Sequence, residues 1–145
     1  MSNDILKPEN IMLNKSLSGK EEAIRYVGGI LNEQGYVDKN YVEEMLKREE
    51  ITSTFMGNYV AIPHGTEEAK HSVHETGITV VTVPEGVDFG GGNIVKLLIG
   101  IAGKGNEHLE ILSQIAIVCS EEENIDKIIG ANTKEEVIEM FSEVN

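Results

Sequence analysis

The sequence feature that most constrains the fold is a nearly continuous apolar run at residues 94–102. Side chains of a strand point alternately to its two faces, so a strand that is apolar along its length is buried on both. Two shorter runs rich in β-branched residues, 59–62 and 78–83, each end at a proline. We therefore expect central strands buried in a sheet, with the glycine-rich residues 86–93 forming a loop.

Helices are predicted on both sides of these strands along the chain. The clearest covers residues 20–34, where apolar residues share one face, Ser18 and Glu21 can form a capping box, and Gly35 follows as a stop. A second helix is expected to follow, with Asp38 as its N-cap.

The last third of the chain predicts three more helices. They begin near Asn106, at Ser120 with Glu123 as its capping partner, and at Thr133 with Glu136, the last burying positions as far as Val144. The order of helices, central strands and helices again indicates the α/β class, with a sheet covered by helices.

Length, cysteine content and charge limit the possible functions. A chain of 145 residues fits one domain, residues 1–145, and its single cysteine, Cys119, cannot form an internal disulfide and is expected in the core. No stretch approaches the roughly 20 apolar residues of a membrane span, and residues 1–10 lack a secretory pattern, so we expect a cytoplasmic protein. A formal charge of −13 should repel nucleic acids and anionic membranes and steer a basic protein partner toward the chain, although taken alone it fits better a charge that only keeps the protein soluble.

The strongest candidate for chemistry is His64, in the segment AIPHGT at residues 61–66. Pro63 fixes the backbone before it, Gly65 allows an unusual conformation after it, and a side chain at such a turn points out of the end of the sheet. A neutral imidazole can attack phosphorus through a ring nitrogen. The proline and the glycine alone also fit a turn histidine without a role.

Two further residues are candidates for binding an anion near His64. His108 falls in the first turn of a predicted helix, where free amides and the helix dipole favour a phosphate. Arg48 ends the second predicted helix, and a guanidinium binds phosphate oxygens well. Taken singly, His108 also fits an exposed helix start, and Arg48 also fits an arginine that is favourable at a helix C-terminus.

Metal and nucleotide sites are less well supported. His71 and His74 are three residues apart and could place two ligands on one helical face, but they lack the HExxH pattern, so a solvated polar connector is favoured. The glycine–lysine pair at residues 103–104 lacks the GxxxxGK spacing, because Leu98 stands where the first glycine should be.

Residues 49–65, EEITSTFMGNYVAIPHG, resemble the signature of type-2 enzyme IIA domains of the phosphoenolpyruvate-dependent sugar phosphotransferase system. An acidic residue, a fixed gap, an apolar–glycine pair and the AIPHG core occur in that order. The similarity extends over the whole chain, and four other segments sit as in the mannitol-specific branch: residues 20–24, 35–37, 84–87 and 106–108. One departure is Asn58, where mannitol-type relatives can carry an acid.

This resemblance implies a mixed, about five-stranded sheet flanked by helices. It also implies that His64 becomes a tele-phosphohistidine, receiving its phosphoryl group from the phosphorylated histidine of the carrier protein HPr. The group would then pass to a cysteine of the mannitol-specific IIB domain, which is coupled to the IIC transporter. His108 would stabilise the phosphoryl group and Arg48 would support its charge. No cofactor or metal is implied, because donor and acceptor are both protein side chains.

Three other functions remain open at the level of sequence. A nitrogen-type regulatory enzyme IIA keeps the same histidine but acts by binding target proteins, and the mannitol-like segments argue against it. A metal-dependent hydrolase would use all four histidines, which lack a recognisable ligand spacing. A scaffold would be indifferent to replacement of His64.

Overall fold

The computed structural model describes residues 5–142, and its centre is a mixed five-stranded sheet. The strands lie in the order β1-β4-β5-β3-β2, with β1 parallel to β4, β4 antiparallel to β5, β5 parallel to β3 and β3 antiparallel to β2. Their bounds are Ile11–Met12 (β1), Phe55–Gly57 (β2), Val60–Ala61 (β3), Gly77–Asp88 (β4) and Ile94–Ala102 (β5). The expected α/β fold is confirmed.

Five α-helices are present in the described residues. They are Lys20–Glu33 (α1), Tyr41–Ile51 (α2), Glu107–Cys119 (α3), Glu122–Ile129 (α4) and Lys134–Ser142 (α5). Two short 3₁₀ helices, Pro8–Asn10 and Glu67–Ser72, complete the regular structure. No helix within residues 5–142 is long and apolar enough to cross a membrane.

The sheet separates two apolar clusters, as expected for strands buried on both faces. One cluster contains residues of α1 and α2, and the other contains residues of α3, α4 and α5. Strand β5 contributes to both, with Leu98 in the first and Leu97 and Ile99 in the second. Cys119 is buried in the second cluster, as predicted, and burial raises the pKa of its thiol to about 11.

Strand β4 is longer than predicted, because Pro84 does not end it. The strand continues to Asp88, and its register with β5 shifts between Thr82 and Val87. A proline, which has no N–H to donate, is tolerated at such an irregularity. The loop expected over residues 86–93 therefore covers only residues 89–93. Phe89 closes this loop by donating its N–H to the carbonyl of Asn93 at 2.9 Å.

The predicted helix caps were partly wrong. Helix α1 has Gly19 and not Ser18 as its N-cap, so the acid three residues after the N-cap is Glu22. Glu22 accepts from the Ser18 hydroxyl at 2.5 Å. Glu21 instead accepts from Arg25 at 3.0 Å.

The cap predictions for the other helices had mixed outcomes. Asp38 does not cap α2, which begins after Asn40. Ser120 does not cap α4 either, because its hydroxyl donates back to the carbonyl of Ile117. The Thr133–Glu136 pair at the start of α5 is confirmed at 3.2–3.3 Å, and Val144 lies outside the described residues.

Candidate functional site

Parallel pairing of β3 with β5 places His64 beyond the end of β3. The two strands pair through Val60 with Leu97 and Ala61 with Leu98, and the Ile101 N–H then donates to the carbonyl of Pro63 at 2.9 Å. His64 itself forms a single bridge with Ile101, next to the end of β5. The histidine is therefore anchored through the backbone to a central strand of the sheet.

The His64 ring is fixed in one orientation and is almost buried. His64 is 9% exposed, and its Nδ1 lies 2.8 Å from the carbonyl oxygen of Ile62. Because a carbonyl oxygen only accepts hydrogen bonds, Nδ1 carries the proton and Nε2 keeps the lone pair.

The surroundings of His64 favour the neutral imidazole. Burial is the largest effect and lowers the pKa of His64, and the positive charges of His108 and Arg48 act in the same direction. The hydrogen bond to Ile62 and the carboxylate of Glu49 oppose this shift. The result is an uncharged ring near neutral pH, with Nε2 unprotonated and able to act as a nucleophile.

His108 lies in the first turn of α3, as predicted, and its ring faces that of His64. The two ring centroids are 5.1 Å apart and the planes are inclined by 55°. Burial lowers the pKa of His108 as well, while Glu67 opposes the shift. Gly103 makes this arrangement possible, because a Cβ there would lie 2.4 Å from the Cα of His108.

The third predicted residue, Arg48, lines the same pocket as the two histidines. The pocket has a volume of about 250 Å³. The Arg48 guanidinium donates to the carbonyl of Thr52 at 2.7 Å, closing the C-terminus of α2, and its charge acts on His64. Lys70 and Glu67 also line the pocket and form an ion pair of 3.0 Å. The pocket therefore brings together two imidazoles and the guanidinium of Arg48, while Lys70 is paired with Glu67.

Two residues that support the site were not predicted. Tyr41 packs its ring against Gly65, where a Cβ would lie 2.5 Å from ring atom Cε1. Gly65 is therefore needed for space and not for the unusual backbone conformation that the sequence suggested, since its φ is not positive. Glu49 is buried and accepts from the backbone N–H of Thr54 at 3.1 Å and from its hydroxyl at 2.6 Å, which fixes the chain that enters β2.

The remaining histidines and Asn58 lie elsewhere. Among the described residues that line the pocket, neither His71 nor His74 is present, and His74 instead contacts Asp38 at 2.5 Å. No group of three His, Cys, Asp or Glu side chains within residues 5–142 is arranged to hold a metal ion. Asn58 sits in the β2–β3 turn with a φ of 51° and lines a different pocket, so it does not face His64.

Comparison with known proteins agrees with this fold. The family model described as "Phosphoenolpyruvate-dependent sugar phosphotransferase system, EIIA 2" matches residues 4–144. The chain therefore belongs to the type-2 enzyme IIA family, the phosphotransferase components of that system.

Particular relatives place it more narrowly within the family. It is 59% identical over 145 residues to the mannitol-specific phosphotransferase enzyme IIA component of Geobacillus stearothermophilus, covering all of both chains. It is 56% identical to the protein of that name from Bacillus subtilis, covering 97% of this chain and 99% of the relative. A solved complex of enzyme IIAMTL and phosphorylated enzyme IIBMTL from Escherichia coli matches with a TM-score of 0.88 at 37% identity, covering 95% of this chain and 97% of that one.

Proposed function

We propose that His64 accepts a phosphoryl group on Nε2 and passes it to a second protein, with His108 and Arg48 stabilising the group. The observation that carries this proposal is the 2.8 Å contact of Nδ1 with the Ile62 carbonyl, which directs the nucleophilic lone pair to Nε2. His108 and Arg48 line the same pocket as His64. The product is a tele-phosphohistidine.

Each transfer exchanges one bond to phosphorus for another. In the first, Nε2 of His64 forms a bond to phosphorus while the bond between phosphorus and the histidine nitrogen of HPr breaks, and the proton stays on Nδ1, hydrogen-bonded to the Ile62 carbonyl. In the second, a cysteine thiolate of the IIB domain attacks and Nε2 leaves. Such transfers depend mostly on positioning and on neutralising the phosphoryl oxygens. Arg48 and the start of α3 would supply positive charge and free amides here, and His108 would donate a hydrogen bond to the group.

We further propose that the sugar served by this carrier is mannitol and that its acceptor is the mannitol-specific IIB domain beside the IIC transporter. The two relatives named for mannitol, at 59% and 56% identity, support the sugar. The Escherichia coli complex with phosphorylated enzyme IIBMTL supports the acceptor. A nitrogen-type regulatory role is not favoured by these similarities. Residues 1–145 would act as one phosphocarrier domain in the cytoplasm.

The test is intact-mass measurement after mixing the protein with phosphoenolpyruvate, enzyme I and HPr. Wild type should gain one acid-labile phosphoryl group, His64→Ala should gain none, and His71→Ala should gain it like wild type. His71 is a suitable control because it is exposed and does not belong to the described lining of the pocket. Absence of a mass gain in wild type, with active components, would refute the carrier function.

The sugar and the acceptor are tested separately. The phosphorylated protein should transfer its group to a purified mannitol IIB domain faster than to IIB domains of other sugars. Phosphorylation without transfer to any IIB domain would favour the regulatory alternative.

A further inference from the structure

Tyr41 makes contacts that link the His64 loop to the strand leading toward His108. Its side chain is buried, with the residue 3% exposed, on the first turn of α2. The hydroxyl donates to the carbonyl of Ile101 at 2.9 Å and accepts from the N–H of Gly65 at 2.8 Å. One oxygen atom thus joins the residue after His64 to the end of β5.

The ring of Tyr41 is held as firmly as its hydroxyl. Gly65 leaves room for it, since the position of a Cβ there lies within 3.1 Å of three ring atoms. Burial raises the pKa of Tyr41 to about 12, so the hydroxyl keeps its proton and remains a donor to Ile101 near neutral pH. The link therefore persists over the range in which His64 titrates.

One face of α2 forms a continuous support for the loop. Tyr41, Glu44 and Arg48 are three and four residues apart and share that face. Glu44 accepts from the Thr66 hydroxyl at 2.7 Å, so Gly65 and Thr66 are each held by α2. Arg48 on the same face lines the pocket.

We infer that Tyr41 is a positioning residue for phosphoryl transfer, whose hydroxyl sets the place of His64 relative to His108. The inference rests on the proposed carrier function. Ile101 at the end of β5 accepts from the Tyr41 hydroxyl and donates its N–H to the carbonyl of Pro63, next to His64. From there the chain runs through Gly103 to the start of α3, which carries His108. Both histidines are therefore positioned relative to the same end of β5. Tyr41 acts through its hydrogen bonds to Gly65 and Ile101, and no contact with the phosphoryl group is needed.

Removing the hydroxyl should loosen this arrangement without changing its charges. In Tyr41→Phe the Gly65 N–H and the Ile101 carbonyl lose a shared partner in a buried place, and the His64 loop can drift from β5. His108, Arg48 and Glu49, the charged or titratable groups that act on His64, are all retained. A displacement of about 1 Å between reacting groups can lower a rate by on the order of a hundredfold.

The experiment measures initial rates of phosphorylation against the concentration of phosphorylated HPr for wild type, Tyr41→Phe and Tyr26→Phe. We expect kcat to fall by roughly tenfold or more in Tyr41→Phe with KM unchanged, since the hydroxyl is buried and offers nothing to a partner. Tyr26 is the matched control, because it packs half-buried on α1 and is not among the described residues that line the pocket.

A second readout separates positioning from general stability. Nitrogen NMR of His64 should show its pKa closer to about 6.5 in Tyr41→Phe than in wild type, because a looser loop exposes the ring. Circular dichroism establishes that each variant is folded at the assay temperature. If Tyr41→Phe does not fold, Thr66→Val, which removes the neighbouring bond to Glu44, should show a smaller kcat loss of the same kind.

The outcomes distinguish this inference from the function on which it rests. A wild-type protein that takes up no phosphoryl group defeats the carrier function itself. A phosphorylated wild type, with a folded Tyr41→Phe whose kcat and His64 pKa both match it, overturns the role of Tyr41 alone. A rise in KM with kcat unchanged would also overturn it, because it would indicate a docking role.

Discussion

Replacement of Gly65 by alanine should destabilise the protein through a clash with Tyr41. The added Cβ would lie 2.5 Å from Cε1, 2.7 Å from Cζ and 3.1 Å from Cδ1 of the tyrosine ring. Ordinary carbon–carbon contacts are about 3.5–4.0 Å, so ring and backbone must separate by roughly 1 Å. Neither partner can yield freely, since the ring is buried and its hydroxyl is bonded on both sides.

The expected cost follows from these contacts. Overpacking of a filled interior costs about 1–3 kcal/mol. Weakening the two hydrogen bonds of the Tyr41 hydroxyl costs about 1 kcal/mol each. The lower conformational entropy of alanine in the unfolded chain offsets about 0.5–1 kcal/mol of this. We therefore expect the free energy of unfolding to fall by about 2–4.5 kcal/mol.

Urea unfolding followed by circular dichroism measures this change, with Gly29→Ala as the matched control. Gly29 lies within α1, and a Cβ there would meet nothing within 4 Å, so alanine should stabilise the protein by about 0.5–1 kcal/mol. The two glycine-to-alanine changes should thus shift the midpoint in opposite directions at equal m-value. A Gly65→Ala protein as stable as wild type would refute the argument from ring packing.

Three further predictions concern charge and hydrogen bonding at the site. Because burial lowers the folded pKa of His64 below the unfolded value of about 6.5, stability should be greatest above that pH and decline as pH falls through the folded pKa. Urea unfolding from about pH 7.5 down to about pH 5 should show a shallower decline for His64→Gln, and an unchanged slope would contradict this. His108→Ala should still be phosphorylated at His64 while onward transfer to IIB slows, and equal transfer rates would remove His108 from the mechanism. Glu49→Gln should lower the free energy of unfolding, measured with urea, by about 1–3 kcal/mol, because an amide cannot accept from Thr54 at both of the positions that the carboxylate oxygens occupy. The control Glu50→Gln, at an exposed position, should change this free energy little, and equal shifts for the two variants would contradict the prediction.

Local sequence patterns gave the candidate site only as separate parts, and it was the family resemblance that implied a shared site for His64, His108 and Arg48. His64 stood out because a strand, a proline and a glycine surround it, and His108 and Arg48 because each lies at a helix end. Their meeting in one pocket depends on the pairing of β3 with β5, which joins residues such as Val60 and Leu97 across a long stretch of chain. Local patterns carry no information about such a pairing.

Tyr41 and Gly65 show why the supporting residues were missed. Tyr41 is buried on α2, and the partners of its hydroxyl are 24 and 60 residues away along the chain. Glycine after His64 predicted conformational freedom, whereas its actual role is to admit a ring from α2. Strands β1 and β2 were missed because two or three residues are too few to show an alternating pattern.

Those two short strands have a consequence for self-association. They are the outermost strands of the sheet, and each is only two or three residues long. Long, exposed edges promote aggregation, and short ones are a common protection against it. The apolar side chains of the β4–β5 pair, which has the composition of an aggregation-prone segment, are buried in the two clusters on either side of the sheet. Unfolding therefore exposes apolar side chains of this pair that the folded protein keeps buried.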